Sequence, residues 1–454
     1  MDLASRLRSV IRPNAAPGTG TTAPPRRELT YEPDDGRRYE AQVDLDRVAD
    51  ALGGRLLTTT FGRCLAVDRR YESDRWHGDV QIGDCELSDF DSLRLLDSGI
   101  TPDRGNPTPR TVFIDLETTG LSGGAGTVAF LVGCAYFDAG ALQVRQFLLS
   151  SFTAERALLS AAAELFDAAD LIVTYNGKTF DVPVMETRWA FHRMPAALDE
   201  VPHFDMLHPA RRLWRSRSTL GGLPAESGRH EDAGGCRLTT LERLLLNLRR
   251  VGDVDGFEIP GRFFQFLRTG DARPLEPVLE HNRLDLVSLA AVTSRALRLA
   301  GGGEPVCRDG IEALAVGRVL ERGGALERAE ACYRRAAQSQ CLETRAESCY
   351  RLGLRCRRSG RFEEASGWWR QLVALTDSVR RRDPTLDSLR EFAIEALAIH
   401  QEHRTRDLHA ARELALFALE ESCSSRRADG MRHRLARLDR KLARKQNAQL
   451  FFES

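Results

Sequence analysis

Lysine is almost missing from this chain. Only Lys178, Lys441 and Lys445 occur, and the other 62 of its 65 basic residues are arginine. Those 65 are matched by 65 acidic residues, so the net charge is zero. A neutral chain has no global attraction for nucleic acid, and any basic surface must be local. Long apolar runs are absent too. Nothing approaches the roughly 18 apolar residues that span a bilayer, and the longest candidate, VAFLVGCAYF, has the length of a buried strand. The N-terminal MDLASRLRSVIRPNAAPGTGTTAPPRRE lacks a signal peptide's apolar stretch. Ten cysteines include no Cys-x-x-Cys pair. That spacing argues against a zinc ribbon or disulfide framework and predicts reduced thiols in a cytoplasmic protein with no membrane association.

What is present divides the chain. At 454 residues it exceeds one ordinary core, which predicts two or three domains. Residues 1–30 read as a Pro/Gly/Thr-rich disordered arm. Residues 31–104 form a small β-containing region in which RLLTTTFGRCLAVDRRY suggests a hairpin, and TPDRGNPTPR ends it as a linker. From 105 to 300, TVFIDLET, TVAFLVGCAYFD and LQVRQFLLS read as three antiparallel strands, followed by alternating helix and strand. This is an α/β domain with a mixed sheet and helices on its faces. Residues 306–454 are all-helical. Gly317, Gly324, Ala329, Tyr333 and Ala336 recur 36 positions later as Gly353, Gly360, Ala365, Trp369 and Leu372. This resembles the tetratricopeptide pattern, whose usual period is about 34 residues. TDSVRRRDPTLDS interrupts it before a weaker third copy around Ala411, Ala415 and Ala418.

Three stretches carry chemistry. In TVFIDLET, alternation places Phe113, Asp115 and Glu117 on one face of a strand that should be central. Two buried carboxylates need a cation or protons to offset desolvation, and a metal is the economical answer. An edge strand with solvated acids would read the same way. In LIVTYNGKTFDVPVMETR, Asp181 follows a strand and opens a helix, where it could equally serve as an N-cap. In EHNRLDLVSLA, His281 and Asp285 share one helix face, four residues apart. Together the four acids could hold two divalent cations about 4 Å apart, the arrangement of phosphodiester hydrolysis. Oxygen ligands in this number suit Mg²⁺ or Mn²⁺, and His281 would act as general base toward the attacking water. The glycines of LSGGAGT lack the Gly-Lys-Ser/Thr end of a phosphate-binding loop.

DLETTGL, YNGKTFD and HNRLD resemble the three motifs of the DEDD superfamily of 3′–5′ exonucleases, which have the RNase H-like fold. More narrowly, FIDLETTGLSGGAGTVAFLVG, YNGKTFDVP, HFDMLHPARRLWR and EIPGRFFQFLRTG resemble the YprB-like RNase H-like proteins, over about residues 108–298. The resemblance implies Asp115, Glu117, Asp181 and Asp285 as ligands of two Mg²⁺ or Mn²⁺ ions, with His281 as general base. One departure stands out: the superfamily carries His five residues before the last Asp, or Tyr four before it, and here His is four before. Thr118 and Gly120 would meet the terminal nucleotide, and Asn176 and Lys178 could contact its phosphate. Asp205 is an auxiliary acid or a strand-end residue. ARRLWRSRS, with Arg211, Arg212, Arg215 and Arg217, suits backbone contacts and base stacking, or is a solvated helix face. RHRLARLDRKLARKQ carries seven basic residues against one acid and reads as a nucleic-acid or acidic-partner surface, or as a soluble final helix.

The sequence therefore predicts a metal-dependent 3′–5′ exonuclease acting on the 3′ end of single-stranded nucleic acid. The alternative is an adaptor that binds nucleic acid or a protein partner through its helical repeats, with a weak or inactive nuclease site.

Overall fold

The computed structural model describes residues 43–100, 109–120, 126–195, 198, 200–220, 236–377, 384–421 and 425–452. The expected disordered arm, most of the linker at 101–110, the glycine loop at 121–125 and part of the TDSVRRRDPTLDS insertion lie outside the described residues. After α1 (Leu45–Leu52), β1 (Arg55–Thr59) and β2 (Gly62–Glu72) form the expected hairpin. A two-residue ribbon, β3 (Trp76–His77) with β4 (Val80–Gln81), and α2 (Phe90–Leu96) follow. Then come the three meander strands, β5 (Thr111–Thr118), β6 (Ala129–Asp138) and β7 (Ala141–Leu148). Ala139 and Gly140 join the last two with φ of 48° and 69°. Two left-handed residues give the turn whose twist matches that of the flanking strands.

After α3 (Glu155–Asp167), β8 (Leu171–Thr174) lies parallel to β5, and β9 (His203–Asp205) lies parallel to β8. The N-terminal hairpin pairs onto β7 with Leu65 opposite Leu148, so the sheet has seven strands in the order β1-β2-β7-β6-β5-β8-β9. Helices cover both faces, which explains why β6 is apolar along its length rather than alternating. On one face Val112, Ile114 and Phe130 pack with Leu158 and Phe166 of α3 and Phe263 of a later helix. On the other, Phe113, Ala135 and Val173 pack with Trp214, Leu286 and Ala290.

α4 (Asp181–Phe191) is tied to α3 by a buried ion pair. Arg188 donates to both Glu155 oxygens at 2.5 and 2.6 Å, and His192 Nε2 lies 2.8 Å from Glu155 Oε2. This fixes the helix whose first residue is Asp181. α5 (Leu207–Leu220) follows β9, and α6 (Leu238–Leu241) runs into one π turn, Glu242–Leu246, that ends at Asn247 with φ 52°. α7 (Ile259–Thr269) precedes α8 (Glu276–Gly302), which has 27 residues and at 1.5 Å per residue is about 40 Å long. The N-terminal ribbon braces α8: His77 Nε2 lies 2.8 Å from Ser288 Oγ, and the Asp79 amide donates to Leu246 O at 2.8 Å.

The all-helical end comprises α9 (Gly310–Arg322), α10 (Leu326–Ala336), α11 (Leu342–Arg358), α12 (Phe362–Asp377), α13 (Pro384–His400), α14 (Leu408–Glu421) and α15 (Ser425–Phe452). The 36-residue offset has a structural counterpart. A Cβ on Gly317 would lie 2.5 Å from the Tyr333 ring, and one on Gly353 would lie 2.1 Å from Trp369 Nε1. In both repeats the missing side chain lets the next helix's aromatic press against the helix backbone. The basic run of α15 is partly consumed in packing. Glu402, 4% exposed, accepts from Arg434, Arg437 and Lys441 at 2.7, 2.9 and 2.7 Å. Burial alone would raise its pKa, but Arg437 and Lys441 hold the carboxyl down at about 2. No helix among the described residues is long and apolar enough to cross a membrane.

Two stability tests follow from this packing. Gly353→Ala should cost about 1–3 kcal/mol, because Trp369 is 2% exposed and cannot step aside. Gly367→Ala, mid-helix with nothing within 4 Å of its would-be Cβ, should instead be neutral or gain about 1 kcal/mol; equal melting temperatures for the two variants would contradict the packing. His77 is buried, and desolvation lowers its pKa from 6.5 to about 4. The unfolded chain then takes up a proton that the folded state refuses. Stability should be full above pH 6.5 and fall as the pH drops toward 4, by about 3 kcal/mol for this residue. Thermal melts of His77→Gln should show a flatter acid limb than those of the wild type.

Candidate metal centre and cleft

Strand alternation on β5 turns Asp115 and Glu117 toward α8, and a register shift against β6 falls between Glu117 and Thr118. Asp181 arrives from the next strand–helix junction. Its Oδ1 accepts the Leu116 amide at 3.1 Å, so this carboxylate reaches across to β5 rather than simply capping its own helix. Asp285 and His281 come from α8, one turn apart, with His281 Nε2 3.4 Å from Asp285 Oδ2. The four acids and the histidine, which lie up to 170 residues apart in sequence, therefore converge.

The charges work against one another. Burial raises Asp115 well above the ordinary carboxylate range, and the negative charges of Asp285, Glu117 and Asp181 raise it further. Glu117 is raised by the same causes, with Asp285 and Asp181 its chief charged neighbours. Asp181 is pushed up to about 7, mainly by burial. Burial also lifts Asp285, against the opposing pull of Arg250 and His281. A cluster of carboxylates that resists ionisation alone is what a divalent cation relieves, and all its donors are hard oxygens. The donor set fits Mg²⁺ or Mn²⁺. No three of these carboxylates have oxygens all within 4.8 Å of one another. Two of them already have protein partners. Arg250 pairs with Asp285, and Asn282 Nδ2 donates to Asp115 Oδ2 at 2.8 Å.

Sequence reasoning missed the residues that support this cluster. Asn282 is fully buried and also donates to the Asp115 carbonyl at 3.1 Å, while its Oδ1 accepts from Gln146 Nε2 at 2.8 Å. It fits only because Gly133 on β6 has no side chain: a Cβ there would lie 2.1 Å from Asn282 Oδ1. Its spacing of three residues from Asp285, on the same helix face, was a usable signal. Arg250 and Asp253 lie in an irregular segment with no periodicity to mark them. Arg250 donates to Glu242 Oε2 at 2.9 Å and to Asp253 Oδ2 at 3.2 Å. Asp253 Oδ1 lies 2.7 Å from His281 Nδ1. Burial alone would raise Asp253, but His281 and Arg250 more than reverse this and hold it below the ordinary range.

Beside the acids lies a cleft of about 330 Å³, lined by Glu117, Thr118, Gly120, Phe180, Asp181 and Gly256 among others. Thr118 and Gly120 both line this cleft, with Thr118 Oγ1 donating to Gly120 O at 2.8 Å. Phe180 is 56% exposed at the cleft. Other expected contact residues do not line it. Asn176 shapes the preceding loop with φ 69°, and Lys178 pairs with Asp97 at 3.5 Å. Arg212 donates to Leu96 O at 2.7 Å, and Arg211 is exposed on α5. The aromatic of ARRLWRSRS offers no stacking face, because Trp214 is fully buried and donates to Glu312 at 3.3 Å. The Arg217 side chain lies outside the described residues. Asp205 is 2% exposed and accepts the amides of Asn176, Lys178 and Leu207 at 2.8, 3.1 and 3.0 Å, which makes it the organiser of the loop leading to Asp181. A second set of possible ligands, Glu330, Cys356 and Glu364, lies in the helical end, where Arg334 and Arg361 already neutralise both carboxylates.

The RNase_H superfamily profile matches residues 112–297, the span that holds β5, the cleft and most of α8. The uncharacterized protein YprB of Bacillus subtilis (strain 168) is 30% identical over 333 residues, covering 72% of this chain and 74% of that protein. Among solved structures, the family B DNA polymerase of Pyrobaculum calidifontis aligns at 14% identity with a TM-score of 0.31, over 56% of this chain and 29% of that one, too distant to bear on function. The chain belongs to the YprB-like family, and its central domain to the RNase H superfamily.

Proposed function

We propose that the protein is a metal-dependent 3′–5′ exonuclease that hydrolyses single-stranded nucleic acid. The observation that carries this reading is the convergence of Asp115, Glu117, Asp181 and Asp285, two of which line an open cleft, with His281 beside Asp285. These four residues would hold two Mg²⁺ or Mn²⁺ ions, which when bound supply Lewis-acid stabilisation to the phosphoryl group. The chain's own residues do the rest. Asn282 and Gln146 hold Asp115 in place, Thr118 and Gly120 shape the floor that receives the terminal nucleotide, and Phe180 presents a ring face to a base. Base–aromatic stacking suits unpaired strands, because every base has a face to offer. Asn176, Lys178, Arg211 and Arg212 would contact the strand beyond the cleft. The helical end is read as a tetratricopeptide-like array offering a surface to a protein partner, in a protein of the cytoplasm.

A second reading is an adaptor whose nuclease site is weak, and one observation favours it: Arg250 already occupies Asp285. Metal binding separates the two. Calorimetry should detect Mn²⁺ binding that is lost in Asp115→Ala and Asp285→Ala; no such binding would favour the adaptor.

With Mg²⁺ or Mn²⁺, the protein should shorten a 5′-labelled single-stranded oligonucleotide from its 3′ end, and a chelator should stop it. Asp115→Ala should lower the rate by roughly 10³-fold, the worth of several kcal/mol of charge stabilisation. Equal rates for wild type and variant would refute the assignment. Asn282→Ala removes a supporting residue and leaves the ligands, so metal affinity should fall roughly 10–100-fold and activity should return at higher metal concentration.

A further inference from the structure

The histidine of this site stands four residues before the last acid, and the ring of a residue so placed needs something to fix its direction. The segment between the π turn and α7 supplies it. Asp253 Oδ1 lies 2.7 Å from His281 Nδ1, and Asp253 is itself held by Arg250 at 3.2 Å. Arg250 is anchored in turn by Glu242 at 2.9 Å and by Asp285. An ionised carboxylate can only accept, so Nδ1 donates, and a proton then sits on the nitrogen that faces Asp253. The other nitrogen, Nε2, lies 3.4 Å from Asp285 Oδ2 and so faces the carboxylate cluster. The His281 side chain is 17% exposed and that of Asp253 24%, so both side chains remain partly open to solvent.

We propose that Asp253 is a positioning residue for His281. It orients the ring through Nδ1, so that Nε2 is the nitrogen turned toward the carboxylate cluster as the proton acceptor. This rests on the nuclease reading above. In that reaction the attacking water gives one proton to Nε2 while its oxygen bonds to phosphorus. The bond from phosphorus to the 3′ oxygen breaks, and that oxygen takes a proton from solvent. The products are a nucleoside 5′-monophosphate and a chain one residue shorter. The brace from Asp253 also gives the altered His spacing a physical role: the contact from a separate segment sets the ring where helix position alone would not.

The test uses the full chain and three variants. Asp253→Asn keeps the side chain's shape, but its amide can donate to Nδ1 and so favours the wrong tautomer. It should lower kcat on the order of 10²-fold, within the range that a general base contributes, with KM and Mn²⁺ affinity unchanged. Asp253→Glu should recover part of kcat. Long-range proton–nitrogen NMR, with the His281 signals assigned by their loss in His281→Ala, should place the proton on Nδ1 in the wild type and on Nε2 in Asp253→Asn. An active wild type whose Asp253→Asn variant keeps kcat within about twofold would overturn the proposal, as would a wild-type His281 protonated on Nε2 alone. An inactive wild type that still carries the proton on Nδ1 would sink the nuclease reading and support the brace.

Discussion

Four carboxylates held close together in a half-buried cleft repel one another, and the architecture around them is organised by that repulsion. β5 is the centre of the arrangement because, among the described residues, it is the only strand with neighbours of both senses: antiparallel β6 on one side, parallel β8 on the other. That position exposes its acid-bearing face to α8 and lets the β8–α4 junction deliver Asp181 to the Leu116 amide. Uncompensated, such a cluster would spread or protonate. Here Asn282, Arg250 and the Asp205-ordered loop hold it, and each is itself fixed by a second contact. A cation would complete the balance that these neutral and cationic partners begin.

The same constraint accounts for the supporting parts. Gly133 is a glycine because Asn282 must reach the sheet, and Gln146 is buried on β7 because Asn282 needs an acceptor's partner behind it. The N-terminal hairpin lengthens the sheet beyond β7, and the ribbon holds α8 through His77 and Ser288. α8 thus serves as the spine of the site: the turn from His281 to Asp285 faces the acids, and most of Leu286–Ala300 is buried.

The central fold and the acids were legible in the sequence because both depend on short-range periodicity. TVFIDLET alternates as a strand must, the meander has turn-length gaps, and His281 and Asp285 share a helix face by spacing alone. Residues whose roles depend on long-range contact were not legible. Lys178 drew notice for its rarity, yet it pairs with Asp97. Trp214 looked like a stacking ring within a basic stretch, but its helix turns it into the core, where Glu312 takes its N–H. Arg250 and Asp253 sit in irregular chain, where no period marks which side chains point inward. Only coordinates join them to residues 28 and 35 positions away.

The helical end is bound into this same framework by polar contacts with the elements behind the site. Glu312 on α9 accepts from Trp214 of α5 and from Arg295 of α8, at 3.3 and 2.8 Å. Arg308 donates to Leu244 O and Leu245 O, at 3.2 and 2.7 Å, within the π turn that also contains Glu242. Glu242 holds Arg250, and Arg250 holds Asp285. One core of apolar side chains runs from Phe113 beneath β5 to Trp369 in the repeat. An array attached only by a linker would move independently of the acids. An array that shares a core and these arginine contacts with the acid-bearing elements is instead packed directly against them. The helical end is thus continuous with the core that backs the acids.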